Sequence, residues 1–360
     1  MAARRYLLSE LGDTEIARWS ALAAGAVEPN PFFEPEYLLP AAEGLAEPGV
    51  SLLVVEAGGE WRAYLPVQRT RLGRVLGALR TWSHRYCFLG TPLLHPANPA
   101  DAAHELLALG ADEAPGSRLA LEQFADDGPA GDAIWRAAQA LSLATLVESR
   151  HERALLERSE DGQEASWLSR NRRRTLERRR RQMEEELGSA LEVRDEAGDP
   201  SAVKRFLALE LAGWKGRNGT ALACEAGHAE FFRRICQAFA AGDRLELLSL
   251  CAGERTAAML CVLTSGEGGF GIKTAHDEAL GRFGPGVQLE YQVIRHFHER
   301  RPERWQDSCA EPGNELMNQL WPGRRRVASA VFAPAGPYGS VLSAAARRSW
   351  RAARRAAEPA

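Results

Sequence analysis

The chain has 360 residues, 45% hydrophobic and 26% charged, with a net charge of -3. That length suits two domains, and the balance is that of an ordinary soluble globular protein. So small a net charge excludes a molecule drawn as a whole to nucleic acid or to a membrane surface. No stretch is long and apolar enough for a membrane span. The N-terminal MAARRYLLSELGD lacks the sustained apolar run of a signal peptide, so the reading is a cytoplasmic protein. The six cysteines, Cys87, Cys224, Cys236, Cys251, Cys261 and Cys309, form no CxxC pair. They read as small apolar residues in a reducing compartment, with neither a disulfide frame nor a metal site.

In chain order, residues 14–25 predict a helix, Asn30-Pro31-Phe32-Phe33 an aromatic-bearing turn, and residues 36–46 a short helix stopped near Pro48-Gly49. SLLVVEA (51–57), Gly58-Gly59 and EWRAYLPVQRT (60–70) make a hairpin signature, with Pro66 suited to an edge or a bulge. Residues 81–96 group Trp82, His84, Arg85, Tyr86 and Cys87 ahead of Gly90-Thr91-Pro92, and read as a strand carrying surface polar groups rather than a catalytic histidine site. A helix over 100–109, a strand over 117–124 and a helix over 132–143 follow, an alternation that implies an α/β unit by about residue 150.

Residues 167–187, WLSRNRRRTLERRRRQMEEEL, predict one helix ending at Gly188. Arginines crowd its front and glutamates its end. It is either a solvated helix supported by pairs between neighbouring turns or a phosphate-facing surface for tRNA, a nucleotide-bearing donor or an anionic acceptor.

Beyond it come a strand over 190–196, a helix over 202–211, the polar loop Trp214-Lys215-Gly216-Arg217-Asn218-Gly219-Thr220, and a helix over 225–240. Strands over 244–253, 254–264 and 270–275 lead to Gly284-Pro285-Gly286 and a helix over 287–299, whose Leu289, Val293 and Phe297 share one face. A glycine-bounded turn feeding a helix leaves backbone N–H groups that can hold an anion such as a coenzyme pyrophosphate. A short strand at 304–310, a helix over 314–320, a strand over 324–334 and an Ala/Arg-rich tail over 337–360 complete the chain.

Several of these residues carry a resemblance. The Arg170–Arg181 helix, Ala212-Gly213-Trp214-Lys215-Gly216 with Gly219-Thr220, Leu260 through Lys273, the Gly284 turn with its helix, and Asp307 are similar to the acetyltransferase-like domain of the CelD/BcsL family, within the GCN5-related N-acetyltransferase (GNAT) superfamily. The 51–70 hairpin and Leu65-Pro66 resemble that family's N-terminal region. The resemblance implies an α/β protein of tandem GNAT-like domains, each a mixed, largely antiparallel sheet flanked by helices. Residues 1–155 would form a domain without donor binding, and 156–336 the domain with the acyl-CoA site. It also implies acetyl-CoA or a longer acyl-CoA as donor, and a distant kinship with aminoacyltransferases that use charged tRNA. Arg282-Phe283-Gly284-Pro285-Gly286-Val287 stands where the superfamily's phosphate loop is expected, and Pro285 offers no N–H to an anion.

Acyl transfer needs a positioned carbonyl, a deprotonated acceptor and donors facing the oxyanion. The splay between the strands at 270–275 and 305–309 is the expected place for the carbonyl. Asp307 and His276 are the candidate bases, Arg282, Gly284, Gly286, Val287 and Gln288 the donor contacts, and Lys215, Lys273, Trp214 and Tyr291 the substrate contacts. The expected activity moves an acyl group to an amine or hydroxyl of a cell-envelope or polysaccharide-related small molecule or glycan precursor, with no metal and no DNA. A tRNA-dependent aminoacyltransferase and a non-catalytic binding protein with a degenerate fold are the alternatives.

Overall fold

The computed structural model describes residues 1–45, 49–70, 78–114, 118–159, 165–300 and 303–334; the Ala/Arg-rich tail and the expected helix stop at Pro48 lie outside them. In chain order the first elements are β1 (Ala2–Leu7), α1 (Asp13–Gly25), α2 (Pro35–Gly44), β2 (Ser51–Ala57), β3 (Glu60–Thr70), β4 (Ala78–Thr81) and β5 (Leu93–Leu94). There follow α3 (Pro99–Glu113), β6 (Leu119–Ala125), α4 (Gly128–Ala140), β7 (Leu143–Glu157), α5 (Arg170–Leu187), β8 (Leu191–Asp195), α6 (Ala202–Ala212), α7 (Trp214–Arg217) and α8 (Ala226–Ala241). The last are β9 (Leu245–Ala252), β10 (Arg255–Ser265), β11 (Gly268–His276), α9 (Pro285–Arg300), β12 (Trp305–Asp307), α10 (Glu315–Leu320) and β13 (Gly323–Pro334). None of the described helices is long and apolar enough to cross a membrane.

The chain divides into two compact units that are not consecutive in sequence. One takes residues 1–35, 47–152 and those from Arg326 on, the other 36–46 and 153–325. This differs from the contiguous halves expected at 155/156, because β7 and β13 each begin in one unit and end in the other.

In the first unit the strands run β1-β2-β3-β4-β6-β13, with β5 also paired to β3. Trp19, Phe33, Trp61 and Tyr64 are buried together, and the Trp19 indole donates to the carbonyl of Phe33 at 2.8 Å. The hairpin forms as expected, but Pro66 is not at an edge: β3 pairs with β2 on one side and with β4 and β5 on the other. The missing N–H is tolerated because β5 meets Ala63–Tyr64 and β4 meets Val67–Thr70, which leaves Leu65–Pro66 between them. The segment 81–96 supplies only the end of β4 and the two residues of β5.

In the second unit the order is β7-β12-β11-β10-β9-β8. Pairing is antiparallel except between β11 and β12, which run parallel. Side chains of consecutive strand residues face opposite sides of a sheet. On β11, Lys273 meets Glu210 of α6, whereas Thr274 meets Glu290 of α9, so α6 and α9 cover opposite faces of this strand. The predicted stripe of Leu289, Val293 and Phe297 is buried in the core with Leu250, Leu260 and Val262, and α5 adds Leu176 and Met183. Ser169 caps α5 by accepting from the N–H of Arg172, and Gly188 (φ 69°) ends it in the left-handed region, as the sequence predicts. Helix α2 belongs to this unit: Tyr37 meets Phe231 of α8 edge-on at 5.3 Å, and the backbones of Gly44 and Gly227 touch.

Candidate active site

The site is built around the end of β11. Gly268 must lack a side chain, since a Cβ there would overlap the Trp305 indole. This close approach lets β11 and β12 pair over three residues, Gly268–Phe270 with Trp305–Asp307. β11 then continues to His276 while β12 stops, so the two strands part beyond Phe270. Opposite β10 the register slips between Cys261 and Val262, and Ile272 is the extra residue of the resulting bulge. Beyond Phe270, β11 therefore loses its β12 partner close to the point where its pairing with β10 is already disturbed.

After β11 the chain turns through residues 277–284. Asp277 accepts from the N–H of Ala279, and Gly284 sits at φ 67°, a conformation glycine adopts without the Cβ penalty. Pro285 starts α9, and the N–H of Gln288 is already committed to the carbonyl of Gly284 at 2.9 Å. Among the described residues, the N–H groups of Gly286 and Val287 find no acceptor. They open at the positive end of a 16-residue helix. A Cβ at Gly286 would stand 3.5 Å from His276 Nδ1, and one at Gly284 would stand 3.9 Å from Arg179 Nη1. An imidazole and a guanidinium thus flank the free N–H groups, which fits a phosphate group.

Other expected donor contacts are engaged elsewhere. Gln288 is buried and its side-chain amide donates to the carbonyl of Leu176 at 2.9 Å, tying α9 to α5. The Val287 side chain packs on the core, leaving only its N–H available. Arg282 pairs with Glu186 at 2.7 Å and lies over the Phe283 ring.

Asp307 is not free to act as a base. It is fully buried, and its Oδ2 accepts from Arg153 at 2.7 Å and Arg325 at 3.0 Å, while Oδ1 accepts from the Cys309 N–H at 2.9 Å. Burial alone pushes its pKa up, but the two guanidinium groups outweigh that and hold the carboxyl below its usual value. It is a permanent anion that locks the end of β12.

Lys215 and Lys273 come together, but on a residue the sequence reading missed. Both ammonium groups contact the same oxygen of Glu210, at 3.3 and 2.9 Å, and Lys215 also donates to the carbonyl of Thr274 at 3.0 Å. Trp214, 49% exposed, stands next in the chain to Lys215. Tyr291 is set apart, in a groove of about 480 Å³ between α5 and α9 lined by Arg173, Glu177, Arg180 and Arg295. Burial raises its phenol pKa.

Glu290 is the second residue missed. It is buried, its Oε1 accepts from Thr274 Oγ1 at 3.4 Å, and its Oε2 has no partner among the described residues. Burial raises its pKa to about 7, against a smaller lowering by the Thr274 hydrogen bond. Glu210 and Glu290 were detectable as acids lying within apolar helix stripes, Glu210 beside Phe206 and Leu207, Glu290 beside Leu289 and Val293. Among the described residues no group of three or more His, Cys, Asp or Glu side chains is placed to hold a metal ion.

Residues 170–308 match the family model described as "Acetyltransferase (GNAT) domain". Among solved structures the chain is similar to FemX, with 9% identity and a TM-score of 0.63 over 95% of this chain and all of that one. It is also similar to a conserved protein of unknown function from Bacteroides thetaiotaomicron, with 11% identity and a TM-score of 0.54 over 89% of this chain and 97% of that one. No curated protein matches the sequence. At these identities the structures speak for the fold alone, a mixed α/β one, and the domain match makes residues 170–308 GNAT-like.

Proposed function

We propose that the protein is an acyl-CoA-dependent acyltransferase whose acceptor is an amine or hydroxyl of a cell-envelope or polysaccharide-related small molecule, with the donor bound by the second unit. The observation that carries this reading is the pair of free N–H groups at Gly286 and Val287, which lie beside His276 at the far end of the β11 stretch that begins where β11 and β12 part. A donor lying along β11 would set its pyrophosphate on those groups and its thioester carbonyl near the bulge at Ile272, where exposed strand backbone can donate to the oxyanion. His276 lies six residues past the last β11–β12 pair, roughly 20 Å of extended strand. On this reading His276 serves the phosphate end of the donor, not the acyl carbonyl. The donor's length is tested by calorimetric titration with acetyl-CoA and longer acyl-CoA esters; absence of binding to any of them would overturn the reading.

The first unit repeats the strand–glycine–proline–helix handover with acidic residues around it, which supports a GNAT-like domain that binds no donor. Gly128 (φ 80°) precedes Pro129 at the start of α4, but a Cβ at Gly128 would stand 3.3 Å from the carboxylate of Glu28, and Asp126 and Asp127 adjoin. Glu28 would meet a pyrophosphate there with its own negative charge, while Asp126 and Asp127 pair with Arg150 at 2.9 Å and Arg326 at 3.2 Å.

One observation favours a tRNA-dependent aminoacyltransferase as the second reading. Residues 170–181 carry eight arginines against Glu177 alone. Arg170, Arg174 and Arg178 follow one another at helical spacing, an arrangement that destabilises an isolated helix and that a polyanion would relieve. Salt-sensitive binding of tRNA, lost on changing Arg174 and Arg178 to Glu, would favour it; no binding at low salt would exclude it.

A further inference from the structure

We infer that the groove between α5 and α9 is a binding site for a neutral sugar, one unit of a saccharide. The sugar site does not depend on the acyltransferase reading, because the groove is assigned no part in the transfer step.

The groove, about 480 Å³, is of a size that takes small molecules. All eight residues that line it carry polar side chains, so an acyl chain would find no apolar wall to pack on. Charge does not select the ligand. Arg180 and Arg295 are each paired one helical turn on, with Glu184 at 3.0 Å and with Glu299 at 2.6 Å. Arg173 shares the lining with Glu177, its neighbour one turn along α5. Three arginines thus meet three glutamates.

The hydrogen-bonding capacity left over does select. Gln288 is the buried residue of the lining and forms the floor of the groove. Its Nε2 is spent on the carbonyl of Leu176, and its Oε1, an acceptor, has no partner among the described residues. Among the same residues the Glu177 carboxylate, the Tyr291 hydroxyl and the Gln292 amide make no hydrogen bond either. Glu177, Arg173 and Arg180 all act on the Tyr291 phenol, which places them around it.

Two of the four open groups only accept, and two both donate and accept. A phosphate or carboxylate has only acceptors to offer; it would leave Gln288 Oε1 unmet and be repelled by Glu177. Sugar hydroxyls donate and accept, and neighbouring pairs of them suit planar amide, carboxylate and guanidinium groups. Tyr291, half-buried and the one aromatic residue of the lining, turns a ring to the C–H face of the sugar. Oε1 is shielded from water as the groove stands. A hydroxyl reaches it as the exposed rim side chains of Arg180 and Arg295 part around the ligand.

The test reads Tyr291 directly. Protein labelled with 13C in its tyrosine rings is titrated with glucose, galactose and N-acetylglucosamine in turn, and separately with AMP and with inorganic phosphate. Of the six tyrosines, Tyr37 and Tyr64 are fully buried and serve as internal controls, and Tyr291→Phe assigns the groove resonance. Saturable movement of Tyr291 in the millimolar range with at least one sugar is expected, with Tyr37 and Tyr64 still. Glu177→Ala, on an exposed helix position that alanine suits, should weaken the sugar about tenfold through loss of a charge-assisted hydrogen bond. Gly286→Val, which covers the donor's N–H groups, should leave the sugar response unchanged. Silence of Tyr291 to all three sugars, a response to AMP or phosphate in their place, or an undiminished response in Glu177→Ala overturns the inference. Calorimetry with acyl-CoA on the same samples separates the two readings. Donor binding with a silent Tyr291 removes the sugar site alone, and a sugar response without donor binding removes only the acyltransferase reading.

Discussion

Thr274 of β11 donates to Glu290 of α9 across 3.4 Å, and this is the one hydrogen bond that the buried Glu290 side chain makes among the described residues. Its pKa in the fold is about 7, above the 4.5 of an unperturbed glutamate. The folded state therefore holds the proton more tightly than the unfolded chain between those values. Stability is greatest below about pH 4.5 as far as this group is concerned, falls as pH rises towards 7 and is level above it. With roughly 1.4 kcal/mol per pKa unit, the fall amounts to about 3 kcal/mol. Glu290→Gln should flatten this slope and leave the variant more stable than the parent at pH 8, as read by urea unfolding across pH 5–8. An unchanged slope would mean that Glu290 is ionised in the fold.

Asp307→Asn should unfold at a lower urea concentration, with a loss of about 3–5 kcal/mol, because two buried guanidinium groups lose their shared anion. A residue acting only as a base would change turnover without this loss. The parent's Asp307 contribution has the opposite pH dependence to that of Glu290. Its folded pKa lies below 3.8, so the stabilisation is full at neutral pH and is lost as the pH falls through the folded pKa.

The two glycines of the donor loop should separate fold from binding. Gly284→Ala forces a Cβ into φ 67°, costing roughly 1–2 kcal/mol of stability. A first side-chain carbon at Gly286 meets only ordinary contacts, so Gly286→Val should fold with little loss. It would nevertheless cover the free N–H groups and weaken acyl-CoA binding by tenfold or more. Equal affinity in parent and Gly286→Val, measured by calorimetry, would put the pyrophosphate elsewhere.

Gly227→Ala tests the docking of α2 on α8 within the second unit. The added carbon would overlap the carbonyl oxygen of Gly44, and relief requires the helices to move apart, at about 1–3 kcal/mol. Thermal unfolding should shift down by several degrees. A stable variant would show that this contact yields freely.

Much of the second unit is legible along the chain because its signals are local. The stripe of Leu289, Val293 and Phe297 marks α9, the turn at Ala252-Gly253 separates β9 from β10, Gly188 ends α5, and Gly284-Pro285 marks the start of α9. Each depends on periodicity or on backbone freedom within a few residues. The strands β1 and β7 escape this reading. β1 is mostly exposed, and the front of β7 is a mixture of polar and half-buried residues, so neither has a clean alternation to announce it.

What only the folded chain decides is which charges meet. Lys215 and Lys273 lie 58 residues apart, and their meeting on Glu210 depends on α6 lying across one face of β11. Asp307 has the look of a catalytic acid until Arg153 and Arg325 close on it from β7 and β13. His276 has the right chemistry for a base, and the fold sets it against Gly286 at the end of β11. Residue type and spacing determine the elements and the helix start that can receive a phosphate. Long-range strand pairing and helix packing determine which ionisable groups are neutralised, because desolvation and pairing depend on neighbours brought from distant parts of the chain.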